Sequence, residues 1–262
     1  MNHIEKKNTD FKAGQILVFD KPLHWTSFQL VGKVRWMLCR AIGEKKLKVG
    51  HAGTLDPLAT GVMVVCTGKA TKRIEELQKG EKEYIATLQL GATTPSFDLE
   101  HEVDETFPTA HINAALIADV LERFRGDIDQ VPPAFSACKI DGKRAYDLAR
   151  KGKDVELKAK RITIHELELR DFNATTMTLQ LRIRCSKGTY IRALARDIGQ
   201  ALQSGAHLTA LRRTKVGDFD VENAFPDIET FGKWLDAHTV RQADNLLPCS
   251  TTGAPHIQEE KS

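Results

Sequence analysis

The feature that most constrains this chain is Gly50-His51-Ala52-Gly53-Thr54-Leu55-Asp56-Pro57-Leu58-Ala59-Thr60-Gly61. Three glycines, one proline and two threonines in twelve residues make a shaped loop, because glycine takes backbone angles that other residues avoid. Val62-Met63-Val64-Val65-Cys66 follows at once, a short apolar run with the signature of a buried strand. A loop of this kind presents Asp56 at the mouth of that strand, where a substrate can reach a carboxylate. Asp56-Pro57 alone also reads as a turn initiator, so the choice between the two rests on the rest of the chain.

With 262 residues, one large domain or two modest ones can bury a substantial core. A hydrophobic content of 41% and a charged content of 28% fit a folded, soluble protein. The five cysteines (Cys39, Cys66, Cys138, Cys185, Cys249) are far apart and form no CxxC pair. That pattern argues against a disulfide framework or a zinc site and for a reducing compartment. Residues Met1 to Asp10 are polar and lack the apolar core of a secretory signal, and no run reaches membrane-spanning length. A cytoplasmic protein without metal or membrane contact is expected.

Gly14 to Pro22 reads as a strand ending at a Lys21-Pro22 corner. Thr26 or Ser27 caps a helix that buries Phe28, Leu30, Val31, Val34 and Leu38 and turns Lys33, Arg35 and Arg40 outward. Ala70 to Lys79 looks like an amphipathic helix, Lys82 to Gly91 alternates as a strand with Tyr84 near its start, and Thr109 caps a core helix over Ile112 to Phe124. The turn-rich stretch between, with Asp98 and Glu100, requires no functional explanation. Arg161 to Arg170 and Met177 to Cys185 alternate as two strands, and the second runs into Ser186-Lys187-Gly188-Thr189-Tyr190-Ile191-Arg192 at the head of a helix. Leu208 to Thr214 is extended, Ile228 to Leu235 is a short helix, and the tail from Leu246 is loose.

The segment Gly126 to Lys160 differs in kind. Val131-Pro132-Pro133 rules out regular structure there. Beyond it, Lys139, Lys143, Arg144, Arg150, Lys151, Lys153 and Lys158 surround Tyr146. A long basic excursion with an aromatic suits a finger that closes on phosphates, and equally a solvated insertion.

Taken in this order, the pieces resemble the TruB family of bacterial tRNA pseudouridine synthases, which isomerise uridine 55 in the T loop. The matching pieces are Asp20-Lys21-Pro22 with Thr26-Ser27, the whole Gly50–Gly61 loop, Lys82-Glu83-Tyr84, Gln130-Val131-Pro132-Pro133, Gly142-Lys143-Arg144-Ala145-Tyr146, Lys187-Gly188-Thr189-Tyr190-Ile191-Arg192 and Leu211-Arg212-Arg213-Thr214. The resemblance implies an α+β pseudouridine synthase fold, a mixed and mostly antiparallel central sheet flanked by helices with a thumb-loop insertion. It implies Asp56 as nucleophile, Arg192 as the partner that favours its charged form, and Tyr84 stacked on the target base and assisting proton movement. His51 would replace stacking lost when the uridine is flipped out. Tyr190 and Leu211 would help line the pocket with Lys21 near it, and Lys139, Lys143, Arg144 and Arg150 would hold RNA phosphates. No cofactor is implied, and the partner is tRNA, through its T stem-loop, bound by a monomer. The domain division expected is an arm over 1–13, a catalytic domain over 14–240 containing the thumb at 126–160, and a tail over 241–262.

His24 stands where the family usually has glycine, and Thr93 to Asp98 departs from the usual pattern after the Tyr84 strand; neither is expected to touch the chemistry, though both could alter the fit of the RNA. About forty residues follow Phe219, too few for a full PUA-like extension, which implies reduced contact with the acceptor side of the tRNA. Two other readings stay open: a guide-RNA-dependent synthase, and a tRNA-binding and folding module without catalysis.

Overall fold

The computed structural model describes residues 9–133, 139–140, 143–144 and 157–239, the two short pairs as backbone. Its strands are β1 (Ile16–Lys21), β2 (Val49–His51), β3 (Ala59–Thr67), β4 (Lys82–Leu90), β5 (Ala92–Thr93), β6 (Glu105–Thr106), β7 (Gly126–Gln130), β8 (Lys139–Ile140), β9 (Lys143–Arg144), β10 (Lys160–Asn173), β11 (Thr178–Cys185), β12 (Ala206–Val216) and β13 (Phe219–Asp220). The helices are α1 (Ser27–Ile42), α2 (Ile74–Lys79), α3 (Ala114–Glu122), α4 (Ile191–Ala201) and α5 (Ile228–His238).

Nine strands form one sheet in the order β1-β3-β12-β4-β11-β10-β7, with β2 on β3 and β13 on β12. Every pairing in it is antiparallel except β3 with β12, which run parallel over Leu211↔Ala59, Arg212↔Thr60 and Arg213↔Gly61. That short parallel seam divides the molecule. On one side, Met63 and Val65 of β3 pack with Phe19, Leu30, Val34, Leu38 and Phe231 of β1, α1 and α5. On the other, Tyr84, Ala86, Leu88 and Leu90 of β4 pack with Ile117 and Val120 of α3 and with Leu194 and Ile198 of α4. β3 is buried nearly throughout because its other side chains, Val62 and Val64, fill a third small core with Val216. β4 alternates beyond Tyr84, because one face of the half-sheet around it meets solvent. Arg182 bridges Glu83, Glu166 and Glu168 on that face.

Several local expectations are corrected. The helix expected over Ala70 to Lys79 is a 3-10 segment, Gly68–Arg73, followed by the six-residue α2, and neither buries a side chain fully. α3 begins later than expected. Its cap is Asn113, whose side chain accepts from the Leu116 N–H, while Thr109 only offers its carbonyl to Ile112. Phe28, expected in the core, is 77% exposed. Thr26, one of the two cap candidates, is the cap of α1, in a capping box with Gln29.

Candidate active site

Asp56 sits three residues before the start of β3, at the seam between the half-sheets. The loop that carries it is held from three sides. Ser27, the first residue of α1, donates its hydroxyl to the Leu55 carbonyl (3.0 Å) and accepts the Leu55 N–H (2.9 Å). From below, the buried guanidinium of Arg213 donates to the carbonyls of Val62 (2.8 Å), Thr54 (3.2 Å) and Gly53 (3.2 Å). From the β1–α1 corner, Lys21 directs its Nζ at the carbonyls of Pro22 (2.8 Å), Trp25 (2.6 Å) and Pro57 (3.5 Å). Lys21 is 0% exposed, and burial pulls its ammonium down to about 8 against the pull of Asp56. Its place is therefore under the loop, where it holds backbone.

Arg192 enters from the first turn of α4. Its Nε donates to Oδ2 of Asp56 at 3.0 Å and lies 3.6 Å from Oδ2 of Asp98, while Nη1 donates to the Ser96 carbonyl at 3.0 Å. Asp98 is locked in turn, because Ser96 Oγ (2.6 Å) and the Glu100 N–H (3.0 Å) both donate to its Oδ1. The Arg192 and Asp98 side chains are 8% and 9% exposed, whereas Asp56 is 41% exposed. A buried guanidinium thus spans two carboxylates, of which one faces the opening. The Thr93–Asp98 loop, expected to stay clear of the chemistry, thus meets Arg192 through Ser96 and Asp98.

Asp56, Asp98 and Arg192 line a cavity of about 120 Å³ together with His24 and an otherwise apolar wall that includes Leu58, Ala59, Leu208 and Leu211. His24 therefore also lines the cavity, as a residue expected to bear on RNA fit and not on the chemistry. Leu211 lies in the wall because its β12 position pairs with both Ala59 and Ala86. Tyr84 pairs with Arg213 across β4 and β12 and is nearly buried. Burial pushes its phenol above the ordinary value, so it is neutral at physiological pH. His51 ends β2 and is half-buried; burial lowers its imidazole, which is therefore neutral as well. Tyr190 precedes α4 as its cap residue. Its backbone N–H and carbonyl are both taken by the buried Gln130 side chain (2.8 and 3.1 Å), which fixes where α4 and Arg192 begin.

Lys139, Lys143 and Arg144 lie in the small β8–β9 hairpin, where Lys139 pairs with Arg144; Arg150 lies outside the described residues, as does the tail over 241–262. Among the described residues, no group of three His, Cys, Asp or Glu side chains could hold a metal, and no helix is long and apolar enough to cross a membrane.

Residues 40–191 match the family model described as TruB family pseudouridylate synthase (N terminal domain). The chain belongs to the TruB family. Residues 192–248 match a second model, the tRNA pseudouridylate synthase B C-terminal domain, so the boundary between the two TruB models falls at Arg192. A tRNA pseudouridine synthase B of Phocaeicola vulgatus is 64% identical over 90% of this chain and 99% of its own length. One of Bacteroides thetaiotaomicron is 62% identical over 90% and 99%. Among solved structures, a Cbf5-Nop10-Gar1 complex contains a similar chain with TM-score 0.60 and 26% identity, over 84% of this chain and 57% of that one. An H/ACA RNP bound to a substrate RNA containing 2′-deoxyuridine contains another, with TM-score 0.61 and 25% identity over 87% and 59%.

Asp98, Arg213, Gln130 and Ser27 hold this arrangement in place, and sequence reasoning gave none of them a part in it, Ser27 having been read only as a candidate helix cap. Strand alternation carries a signal for Arg213, which shares a face of β12 with Leu211. Asp98 offers none, since it sits in an irregular loop about ninety residues before Arg192.

Proposed function

We propose that this chain is a tRNA pseudouridine synthase that isomerises uridine 55 in the T loop, with Asp56 as its nucleophile. The observation that carries the reading is the Asp56 carboxylate held at 3.0 Å by a buried Arg192 at an apolar cavity, in a TruB family chain. Pseudouridine formation breaks the C1′–N1 bond, turns the uracil and joins C1′ to C5. C5 gives up a proton and N1 gains one, so atoms and electrons balance with no redox partner. That task needs a nucleophilic carboxylate beside a pocket that can take the base, and the Asp56 carboxylate at the mostly apolar cavity supports this reading.

Tyr84, as a neutral phenol, stacks on the uracil and assists proton movement at C5; Leu211 and Leu58 press on the base edge, with Tyr190 at the cavity's flank. The uridine has to leave the T loop at a cost of about a few kcal/mol. His51, uncharged, fills the vacated stack. Lys139, Lys143, Arg144 and Arg150 of the thumb over 126–160 hold phosphates around a T arm recognised by shape. The catalytic domain spans 14–240 and works as a monomer in the cytoplasm without metal or cofactor.

The test is carbodiimide-primer extension on an unmodified tRNA transcript with wild type and Asp56→Ala. A T-loop stop with wild type alone supports the reaction, the target and the nucleophile together. Tight binding without a stop for either protein favours the binding-module reading. The guided reading draws on the likeness to the Cbf5 and H/ACA structures, but 25–26% identity there stands against 62–64% to proteins named tRNA pseudouridine synthase B. Activity of the isolated chain on bare tRNA separates the two.

A further inference from the structure

His24 has a backbone φ of +66°, in the left-handed region that costs a residue with a Cβ about 1 kcal/mol or more. Four residues other than glycine have such angles among the described residues, and two of them, His24 and Phe97, belong to the loops that frame the Asp56–Arg192 cavity. The His24 N–H donates to the Pro57 carbonyl at 2.8 Å, so the corner is pinned one residue from Asp56. Glycine would make that same backbone bond without strain. What glycine could not supply is the imidazole, which is exposed and lines the cavity. Neither ring nitrogen has a hydrogen-bond partner among the described residues. Strain kept at a cavity wall, with a polar ring spent on nothing internal, points to a ligand contact.

The size and lining of the cavity indicate which part of the ligand. It holds about 120 Å³, and beyond Asp56, Asp98 and Arg192 its wall is mostly apolar, which suits a base and leaves the phosphodiester at the rim, where the exposed imidazole stands. Of the polar side chains on that rim, Thr209 already donates to the Thr87 carbonyl at 3.3 Å. We propose that the His24 imidazole donates a hydrogen bond to a phosphate flanking the flipped nucleotide, a specificity contact supplied by this chain's β1–α1 corner. The inference rests on the synthase reading for the identity of the nucleotide.

The test uses the full chain, a fluorescent T-arm hairpin, and the same hairpin with methylphosphonates at the two phosphates flanking the target uridine. His24→Gly keeps or raises the unfolding midpoint, by up to about 4 °C, while RNA affinity weakens about tenfold. KM for release of C5 tritium rises to match, with kcat within about twofold. His24→Asn, which tolerates the left-handed backbone and keeps an N–H donor, recovers most of the affinity. The methylphosphonates weaken wild type but not His24→Gly further, as a shared contact requires. Wild-type affinity in His24→Gly, a lowered midpoint that accounts for the loss, or equal methylphosphonate losses in both proteins would each overturn the proposal. A wild type that binds the hairpin without isomerising it sinks the synthase reading alone, and the affinity cycle still decides His24. Absence of binding sinks both.

Discussion

Arg192 holds two carboxylates in different states of access, and its direction depends on the hidden one. Asp98 is fixed by Ser96 and the Glu100 N–H and faces Arg192 with its other oxygen. Asp98→Asn keeps the bonds to Oδ1 but turns an amide N–H toward the guanidinium, donor against donor. Arg192 then shifts off Asp56, and single-turnover pseudouridine formation at saturating enzyme is expected to slow by about tenfold or more. RNA affinity should be unchanged. Lys21 makes a different kind of statement. Its folded value is about 8 against an ordinary 10.5, so between those limits the unfolded chain binds more protons than the folded one. The contribution of Lys21 to stability therefore grows with pH through that window and is lowest below pH 8. Urea unfolding at about pH 7.5 and about pH 9.5 should show wild type gaining on Lys21→Met at the higher pH. A difference between the two proteins that stays constant or shrinks would contradict the burial of that ammonium.

At the scale of elements, the parallel seam between β3 and β12 is what places the loop over its guanidinium. Gly61 makes the seam possible. Its φ is +107°, and a Cβ there would lie 2.1 Å from the Arg213 carbonyl oxygen and 2.8 Å from two further backbone atoms. No flexible side chain can yield, because the obstacle is the partner strand itself. Gly61→Ala is expected to cost about 3 kcal/mol or more, read as a lower urea midpoint. Activity should fall further than stability alone explains, since Arg213 must leave Gly53 and Thr54. Several other elements follow local rules. α1 begins at a capping box, β4 and β11 keep the alternation of their residues, and α5 opens with Asp227 accepting from the Thr230 N–H. Where local reading failed, as at Ala70–Lys79, the apolar residues were too few to define a face, and tertiary contact settled the conformation.

For the whole molecule, the two halves bury separate cores and share one sheet, so the cavity lies where neither half alone is complete. The net charge is only +3, so affinity for a polyanion has to come from where the cations stand. Under the proposed function, Lys143→Ala and Arg144→Ala should each reduce the slope of log affinity against log salt by about one. Their effect on kcat at saturating tRNA should be small. An unchanged slope would remove the thumb from the phosphate contacts.

The sequence by itself determined the loop, the strand behind it, the acid it displays and the family to which these belong. Those signals are local, since glycine and proline restrict backbone angles wherever they occur, and periodicity marks the buried face of a strand. The tertiary structure decided what surrounds the acid. Arg213 and His24 bond the Asp56 loop, while Asp98 and Gln130 fix Arg192 and the start of its helix, and these contacts come from four separate segments that local sequence does not bring together. A hydrogen bond across 136 residues, as between Arg192 and Asp56, depends on how two half-sheets meet, and that is set by packing.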